Sequence, residues 1–295
     1  MRRLQKRRLG LSLLFVAMVT VCGCEDVSRS NPQPSPAPQS KVTVEKPEPT
    51  PSVAAQESAK ESWQVIYLGT SRIGYVHSTA ETITRDGRKL ERTSTVTHMT
   101  IKRFGQTLKI EVLLESEAAQ DGELVSFVQE TKNPPAGSTR VVGQVQGDKL
   151  LLKTTVAGRT TEQELAWEKG VKSPSYETQT LAENPLKPGE SRSFDVFLPE
   201  LKKKATVTMT AGAMESVNLF DIAPGQLMRI ETTNSILPTT TVSWVDEKGN
   251  TLKSETELLG LVMTSYEVTK EEALKEIDGG EVDIAVGSLV KVEPI

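Results

Sequence analysis

The sequence predicts an all-β fold: a large, curved, mainly antiparallel sheet or sandwich with one short C-terminal helix. Residues 63–270 are rich in Thr, Val and Ile, and their apolar residues recur at every second position, the period of a half-buried strand. Glycine-containing turn signals interrupt this pattern at intervals of about ten residues. Aromatic residues make up only 4% of the chain, so the core must consist mainly of Val, Leu, Ile and Met.

Residues 1–23 have the organisation of an export signal peptide. Five basic residues and no acidic residue open the chain, and residues 9–21 follow as an apolar stretch. At ~1.5 Å rise per residue this stretch spans about 20 Å, less than the ~30 Å hydrocarbon core of a bilayer. We therefore expect a cleaved leader rather than a membrane helix. The Arg7–Arg8 pair could indicate a twin-arginine leader, but its neighbours fit that pattern poorly and favour general secretion.

The leader ends in Val21, Cys22, Gly23 and Cys24. This ending resembles the lipobox of bacterial lipoproteins, in which a cysteine after a small residue is lipidated and becomes the first residue of the mature chain. The resemblance implies that Cys24 is the lipidation site, because Gly23 is the small residue expected before cleavage. Cys22 is a rival acceptor, preceded by the less suitable Val21. An ordinary secretory leader with incidental cysteines is the alternative to both.

Residues 24–60 are predicted to be a disordered, Pro-rich linker. They hold seven of the chain's 16 prolines, together with Ser, Gln, Glu, Lys and Ala, and almost no large apolar residue. Such a segment cannot bury enough surface to offset the entropy lost on ordering. Fully extended in polyproline II at ~3.1 Å per residue, it would reach on the order of 100 Å. We expect it to act as a spacer that lifts the domain off the membrane, although Pro-rich runs can also bind partners.

Charge and cysteine content narrow the functional classes. The net charge is −4, and the signal peptide holds five positive and no negative residues, so the chain from Cys24 onward carries −9. An acidic domain argues against nucleic acid as a partner. Both cysteines lie in the lipobox, so the domain has neither a disulfide nor a thiol nucleophile beyond the modified Cys24.

Residues 61–295 are expected to form the antiparallel β domain. A period-two alternation of residue types is clear at residues 93–100 and 109–117, and it predicts that every second side chain lies on the same face of the sheet. Dipeptide turn signals favour hairpins because glycine adopts positive φ at little cost. They lie at Asp86-Gly87, Asp121-Gly122, Gly147-Asp148, Ala157-Gly158 and Lys248-Gly249.

A loop at Pro185, Pro188 and Gly189 separates these strands from a second set. The second set is predicted at residues 191–198, 205–211, 226–233, 240–245, 251–258 and 261–268. Thr269 and Glu272 then form a capping box, which predicts a short helix that Gly279-Gly280 would end. The final residues, 282–295, have strand-like composition.

Several short motifs resemble the β-rich N-terminal region of exported bacterial transglutaminase-like proteins. They cover about residues 63–292 and comprise 63–69 (WQVIYLG), 73–75 (IGY), 185–189 (PLKPG), 243–249 (SWVDEKG), Lys253, 263–264, 268–273 and 282–284. In those relatives a papain-like Cys-His-Asp domain follows, and its Cys and His have no counterpart here. The resemblance therefore implies an accessory module without catalytic residues. The order of strands and turns is also similar to the curved sheets of lipoprotein carriers.

The sequence contains only weak candidates for catalytic or metal-binding chemistry. His77 and His98, the two histidines, could meet across a hairpin and bind a metal, but no carboxylate spacing supports a site, and isolated surface histidines are the favoured interpretation. Residues 69–74 look superficially like a phosphate loop, yet a tight strand connection is favoured. Three further groups have ordinary structural interpretations: acids on a wet strand face (Glu115, Glu117, Asp121), tryptophans closing a core (Trp63, Trp167, Trp244) and a solvated basic turn (Lys202, Lys203, Lys204).

The sequence thus predicts a lipid-anchored cell-envelope protein whose β domain is non-catalytic and acts as a binding or scaffolding module. Its expected partners are the membrane, through the lipid on Cys24, and a protein or an apolar ligand; neither a cofactor nor a metal is predicted. The alternative is an accessory module, or truncated relative, of a transglutaminase-like enzyme that works with a separate catalytic chain. The anchor would lie in the outer or inner membrane facing the periplasm. Glu25 rather than Asp after Cys24 favours the outer membrane by analogy with lipoproteins.

Overall fold

The computed structural model describes residues 59–277 except 104, 135–136 and 259. The predicted signal peptide, the lipidation site Cys24, nearly all of the linker and the strand predicted at 282–295 lie outside these residues. The described part is all-β, as predicted, and holds fourteen strands: β1 (Lys60–Leu68), β2 (Ser71–Arg85), β3 (Arg88–Arg103), β4 (Gln106–Ala119), β5 (Leu124–Asn133), β6 (Gly137–Gln146), β7 (Lys149–Val156), β8 (Arg159–Ala166), β9 (Ser191–Leu198), β10 (Lys203–Val217), β11 (Gly225–Asn234), β12 (Thr240–Val245), β13 (Thr251–Leu258) and β14 (Leu261–Val268).

All fourteen strands belong to one antiparallel sheet made of two meanders. Strands β1 to β8 follow one another in space, as do β9 to β14, and β1 pairs with β14 at the junction. The predicted Asp86-Gly87 turn is confirmed, with φ of 51° and 72° at its two central residues. The tight strand connection favoured from the sequence at residues 69–74 is confirmed: residues 69–70 join β1 to β2, and residues 71–74 already belong to β2.

A short segment after β8 ties one edge of the sheet to its other half. Lys172 N donates to Asp195 O of β9 (2.7 Å), and Leu124 N of β5 donates to Val171 O (3.0 Å). One face of β9 then packs against β5. The ring centroid of Phe197 on β9 lies 5.4 Å from that of Phe127 on β5. The sheet is therefore rolled, so that its β9 edge lies against the start of β5.

The rolled sheet has a buried face and an outer face. Side chains of the buried face form clusters of aliphatic and methionine side chains, with few aromatic rings, as the composition predicted. Between these clusters lies a belt of buried hydroxyls that bond across strands, among them Ser78 to Thr95 (3.2 Å) and Ser254 to Ser265 (2.7 Å). Along each central strand, residues of the buried face alternate with residues of the outer face, most of which are half-exposed.

Helix α1 (Tyr176–Glu183) lies against the buried face and was not predicted. Its buried residues are mostly polar, so it lacks the apolar stripe that marks an amphipathic helix. Distant side chains hold it instead: Arg192 of β9 donates to Thr180 O (3.0 Å) and Asn184 O (2.9 Å) at its C-terminal end, and Thr232 of β11 donates to the buried Glu177 (3.0 Å).

Helix α2 (Lys270–Ala273) begins as predicted, with the Thr269 hydroxyl accepting from Glu272 N (3.2 Å). It ends at Ala273, before the predicted stop at Gly279-Gly280, which lies outside the described residues. Arg72 at the start of β2 donates to Glu272 O and Ala273 O, both at 2.8 Å. The Arg72 guanidinium therefore donates to carbonyl groups that would otherwise accept hydrogen bonds from a further helical turn.

Glu91 on β3 makes one stability prediction. Burial raises the pKa of its carboxyl, Lys60 opposes this rise and Glu183 adds to it. Because the folded-state pKa is raised, the carboxyl's contribution to folding stability is fully present below the unfolded-state pKa, where the group is protonated. This contribution is lost as the pH rises through the folded-state pKa. We therefore expect Glu91→Gln to raise the melting temperature near pH 7, and the gain to shrink as the pH falls towards ~4.

The control for this prediction is Glu162→Gln on β8, whose carboxylate side chain is 77% exposed. Thermal unfolding of both variants at pH 4 and pH 7 provides the measurement. A gain for Glu91→Gln that is equal at the two pH values would contradict the assigned cause.

Candidate functional site

Aromatic rings from three strands meet on the outer face near the start of β1. The outer patch is defined as six half-exposed residues of β1 to β4: Trp63, Tyr75, His77, Val96, His98 and Leu113. They occupy two cross-strand rows. Trp63, His77, Val96 and Leu113 lie opposite one another in turn, and Tyr75 lies opposite His98 in the next row.

The rings of the outer patch are in direct contact. Trp63 and His77 stack with centroids 4.0 Å apart and planes 14° apart. Tyr75 and His98 lie 4.7 Å apart, and Trp63 is 6.0 Å from Tyr75. Cross-strand ring pairs of this kind stabilise the sheet and also form a rigid apolar surface.

Charged side chains border the patch on two sides. Glu61 accepts from Trp63 Nε1 (3.0 Å) and lies 2.9 Å from His77 Nε2. On the other side Lys132 Nζ donates to Glu111 (2.7 Å), whose second oxygen is 3.5 Å from His98 Nδ1. The bond from Lys132 holds the pKa of the Glu111 carboxyl below its ordinary value. Burial raises the pKa of the Tyr75 hydroxyl, and the nearby negative charge of Glu111 raises it further.

The patch continues across the sheet into a second aromatic cluster. Val65 on β1 lies between Tyr75 and Tyr266 in register and is fully buried, although it belongs to the outer face. Beyond it, Lys253 Nζ lies 5.6 Å from the Tyr266 ring centroid and 4.6 Å from that of Trp244. One cross-strand row of rings and charged side chains, interrupted by Val65, therefore crosses the outer face from Lys132 on β5 to Trp244 on β12. This row was not predicted from the sequence.

The two histidines do not form a shared site. His77 and His98 occupy adjacent strands, but each faces a different carboxylate. In residues 59–277, apart from the gaps, no group of three or more His, Cys, Asp or Glu side chains is arranged to hold a metal ion. Trp167 is 8% exposed within the buried core, as expected of a core-closing ring. Trp244 is also 8% exposed, but it lies on the outer face, where it packs with Val217 and Leu227, and Trp63 is a half-exposed patch residue.

The three acids interpreted as lying on a wet strand face have different surroundings. Glu115 is half-exposed on β4, but the interpretation is wrong for Glu117, which is buried and accepts from Arg85 (2.8 Å) and Arg92 (2.9 Å). Asp121 lies in the β4–β5 turn, and the backbone N–H of Glu123, more than Lys172, lowers the pKa of its carboxyl. Lys204, at the end of the basic run, pairs with Glu168 and Asp195 at the β9–β10 hairpin.

No family model matches the chain, and no curated protein matches it. Among solved structures, the chain is similar to a β-barrel-like protein of the domain of unknown function DUF1849 from Brucella abortus, with 13% identity over 71% of this chain and 96% of that one and a TM-score of 0.48. It is also similar to a DUF1089 family protein from Pseudomonas aeruginosa, with 13% identity over 59% and 87% of the two chains and a TM-score of 0.33. At these values neither similarity identifies a family or a function.

The helices of residues 59–277, outside the gaps, are too short to cross a bilayer.

Proposed function

We propose that this protein is a lipid-anchored, non-catalytic binding module of the cell envelope, and that it contacts a protein partner through the outer patch. The observation that supports the proposal is the patch itself: half-exposed rings and aliphatic side chains bordered on two sides by charged side chains. An apolar centre with a polar rim is the usual anatomy of a protein interface, in which aromatic residues are enriched. The apolar side chains of the buried face, by contrast, pack against one another.

Anchoring is tested at the predicted acceptor. We expect Cys24→Ala to abolish the incorporation of labelled palmitate and to move the protein from the membrane fraction to the soluble fraction. Several acyl chains on one residue anchor strongly, because each buried CH₂ contributes about 0.8 kcal/mol. Cys22→Ala is the matched control and should retain the label. A labelled Cys24→Ala protein would show that the acceptor is wrong.

Partner binding is tested with a photo-crosslinking residue in place of Val96, at the centre of the patch, in the lipidated protein within intact cells. We expect one discrete adduct, which a probe at the exposed Thr160 on β8 does not form. Trp63→Ala should strongly reduce it, because truncating a tryptophan that anchors an interface costs about 2 kcal/mol or more, roughly a 30-fold loss of affinity.

The mass of the adduct also separates the two candidate roles. A transglutaminase-like catalytic chain in the adduct would support the accessory-module alternative, and any other defined protein would support a scaffolding module. Equal crosslinking from positions 96 and 160, or no dependence on Trp63, would contradict the proposed use of the patch.

A further inference from the structure

We propose that the partner of the outer patch also covers a second apolar surface on the same face, and that the partner segment at this surface carries basic side chains. The second surface, the tyrosine patch, is defined as six residues: Tyr67, Phe220, Ile222, Val262, Tyr266 and Leu274. The inference rests on the proposed function, because it extends the surface used by the same partner and names the charge of that partner.

The outer patch is too small to be a whole protein interface. It runs from β1 to β4, three inter-strand spacings of ~4.8 Å, or roughly 15 Å. A stable interface buries about 800 Å² on each partner, which corresponds to a disc about 30 Å across. The contacts must therefore extend beyond the outer patch, and further exposed apolar side chains indicate the direction.

The tyrosine patch has an aromatic centre on β1 and β14. The ring centroid of Phe220, in the β10–β11 loop, lies 6.2 Å from that of Tyr67 and 6.1 Å from that of Tyr266. Tyr67 and Tyr266 lie 6.1 Å apart in an edge-on arrangement, and all three rings are half-exposed. The loop and the two strands therefore hold a compact group of three rings on the outer face.

Exposed aliphatic side chains come from the segments next to this centre. Val262 of β14 is 47% exposed, and its carbonyl accepts from Gly69 N (2.8 Å) at the end of β1. Ile222 in the β10–β11 loop is 63% exposed, and Leu274 after α2 is 49% exposed. In the part of the chain that the structure describes, these are three of the five large apolar side chains that are exposed. Such a concentration is typical of a contact surface.

Two carboxylates beside the tyrosine patch favour a basic partner. Asp221 directly precedes Ile222 in the loop, and Glu257 on β13 is the register partner of Val262. Both acids are exposed, and neither forms an ion pair with another of the described residues. Lysine or arginine side chains of a partner would therefore meet two free negative charges at the rim of an apolar surface.

The cations in this region do not neutralise these two carboxylates. Arg72 and Lys275 both pair with Glu272 of α2, and Lys253 pairs with Glu255 (2.7 Å). A membrane surface rich in anionic lipids would be repelled by the free acids. A second copy of this chain in a symmetric contact would bring the same acids together. A basic protein segment with apolar side chains fits both the rings and the charges.

Helix α2 joins the two patches into one surface. At its start, Lys270 Nζ lies 5.4 Å from the Trp63 ring centroid. At its end, Ala273 O accepts from Arg72 (2.8 Å), and Arg72 pairs with Tyr67 in register. With the acid on β13 at the far border, the combined surface crosses five inter-strand spacings from β4, about 24 Å, which approaches the width of a standard interface.

The test places the photo-crosslinking residue at position 222, and separately at position 96, in the lipidated full-length protein within intact cells. We expect one adduct of the same mass from both positions, and peptide mass spectrometry should place the crosslink from 222 next to Lys or Arg of the partner. Asp221→Asn with Glu257→Gln should lower both yields at least about threefold, because rim charges steer association. Asparagine tolerates the φ of 50° at position 221.

The matched control is Asp148→Asn with Glu162→Gln, which removes the same charge from exposed positions in the β6–β7 turn and on β8. It should leave both adducts unchanged. A lipid or a second copy of this chain attached at position 222, or an acidic partner segment there, would overturn the inference. An adduct from position 96 that does not respond to the neutralised Asp221 and Glu257 would overturn it as well, but would leave the proposed function standing. A charge-sensitive adduct from position 222 without one from position 96 would overturn only the proposed use of the outer patch.

Discussion

Phe197→Ala is expected to lower the free energy of unfolding by about 3–5 kcal/mol, the range for truncating a fully buried phenylalanine. The side chain is 2% exposed, and its ring contacts Phe127 at 5.4 Å and Trp167 at 5.7 Å between centroids. Because Phe197 belongs to β9 and Phe127 to β5, the lost contacts are those that hold the rolled sheet closed. Removing the ring would leave a cavity at that closure.

Urea unfolding followed by circular dichroism measures this loss. Ile222→Ala is the control, since that side chain is also large and apolar but is 63% exposed, and it should change stability by less than about 0.5 kcal/mol. A loss below about 1 kcal/mol for Phe197→Ala would mean that the contact between β9 and β5 contributes little to the folded state.

Gly249→Ala is expected to destabilise the domain by about 3–4 kcal/mol, through strain in the β12–β13 turn and a clash with α1. Gly249 has φ of +76°, and a Cβ atom there would lie 2.0 Å from Leu181 O and 2.4 Å from Leu181 C. Backbone atoms cannot rotate away as a side-chain terminus can. The helix or the turn must therefore shift, and the buried Leu181 moves with it.

Gly158→Ala separates the two causes of this effect. Gly158 has nearly the same φ, +78°, but a Cβ atom there meets nothing within 4 Å. We expect it to cost only the ~1–2 kcal/mol of the left-handed conformation. Equal losses for the two variants, measured by urea unfolding, would show that α1 does not constrain the turn.

Much of the strand pattern was predictable from the sequence. Strands β9, β12, β13 and β14 have the predicted bounds, and the observed β10 and β11 include the predicted residues and extend them. This agreement arises because β-branched residues alternate with polar ones along each strand and because Asp-Gly and similar pairs end the strands locally. The start of α2 was predictable for the same reason, since Thr269 caps a helix three residues away.

Helix α1 shows where this local information ends. Its sequence is mostly polar, and its stability depends on Arg192 and Thr232, which lie 12 and 55 positions along the chain from the helix residues that they contact. No period within residues 176–183 encodes those contacts. The prediction of a single helix was therefore incomplete, although the all-β class was correct.

The outer patch could not be predicted as a site, although His77, His98 and Trp63 could each be singled out in the sequence. Their contact depends on strand register: a shift of one residue between β1 and β2 would move Trp63 to the opposite face from His77. Residues on one strand determine which side chains can share a face, but hydrogen bonding between strands determines which neighbours they meet.

By itself, the sequence determined the all-β class, most of the predicted strand bounds and the cap of α2. These features depend on interactions between residues near one another in the chain. The lipidated leader and the Pro-rich linker stay predictions. Only the tertiary structure decided that the two meanders join through β1 and β14, that residues 171–173 close the roll, and that four rings meet on the outer face. Those features depend on pairings between distant segments, which are selected by the packing of the whole sheet.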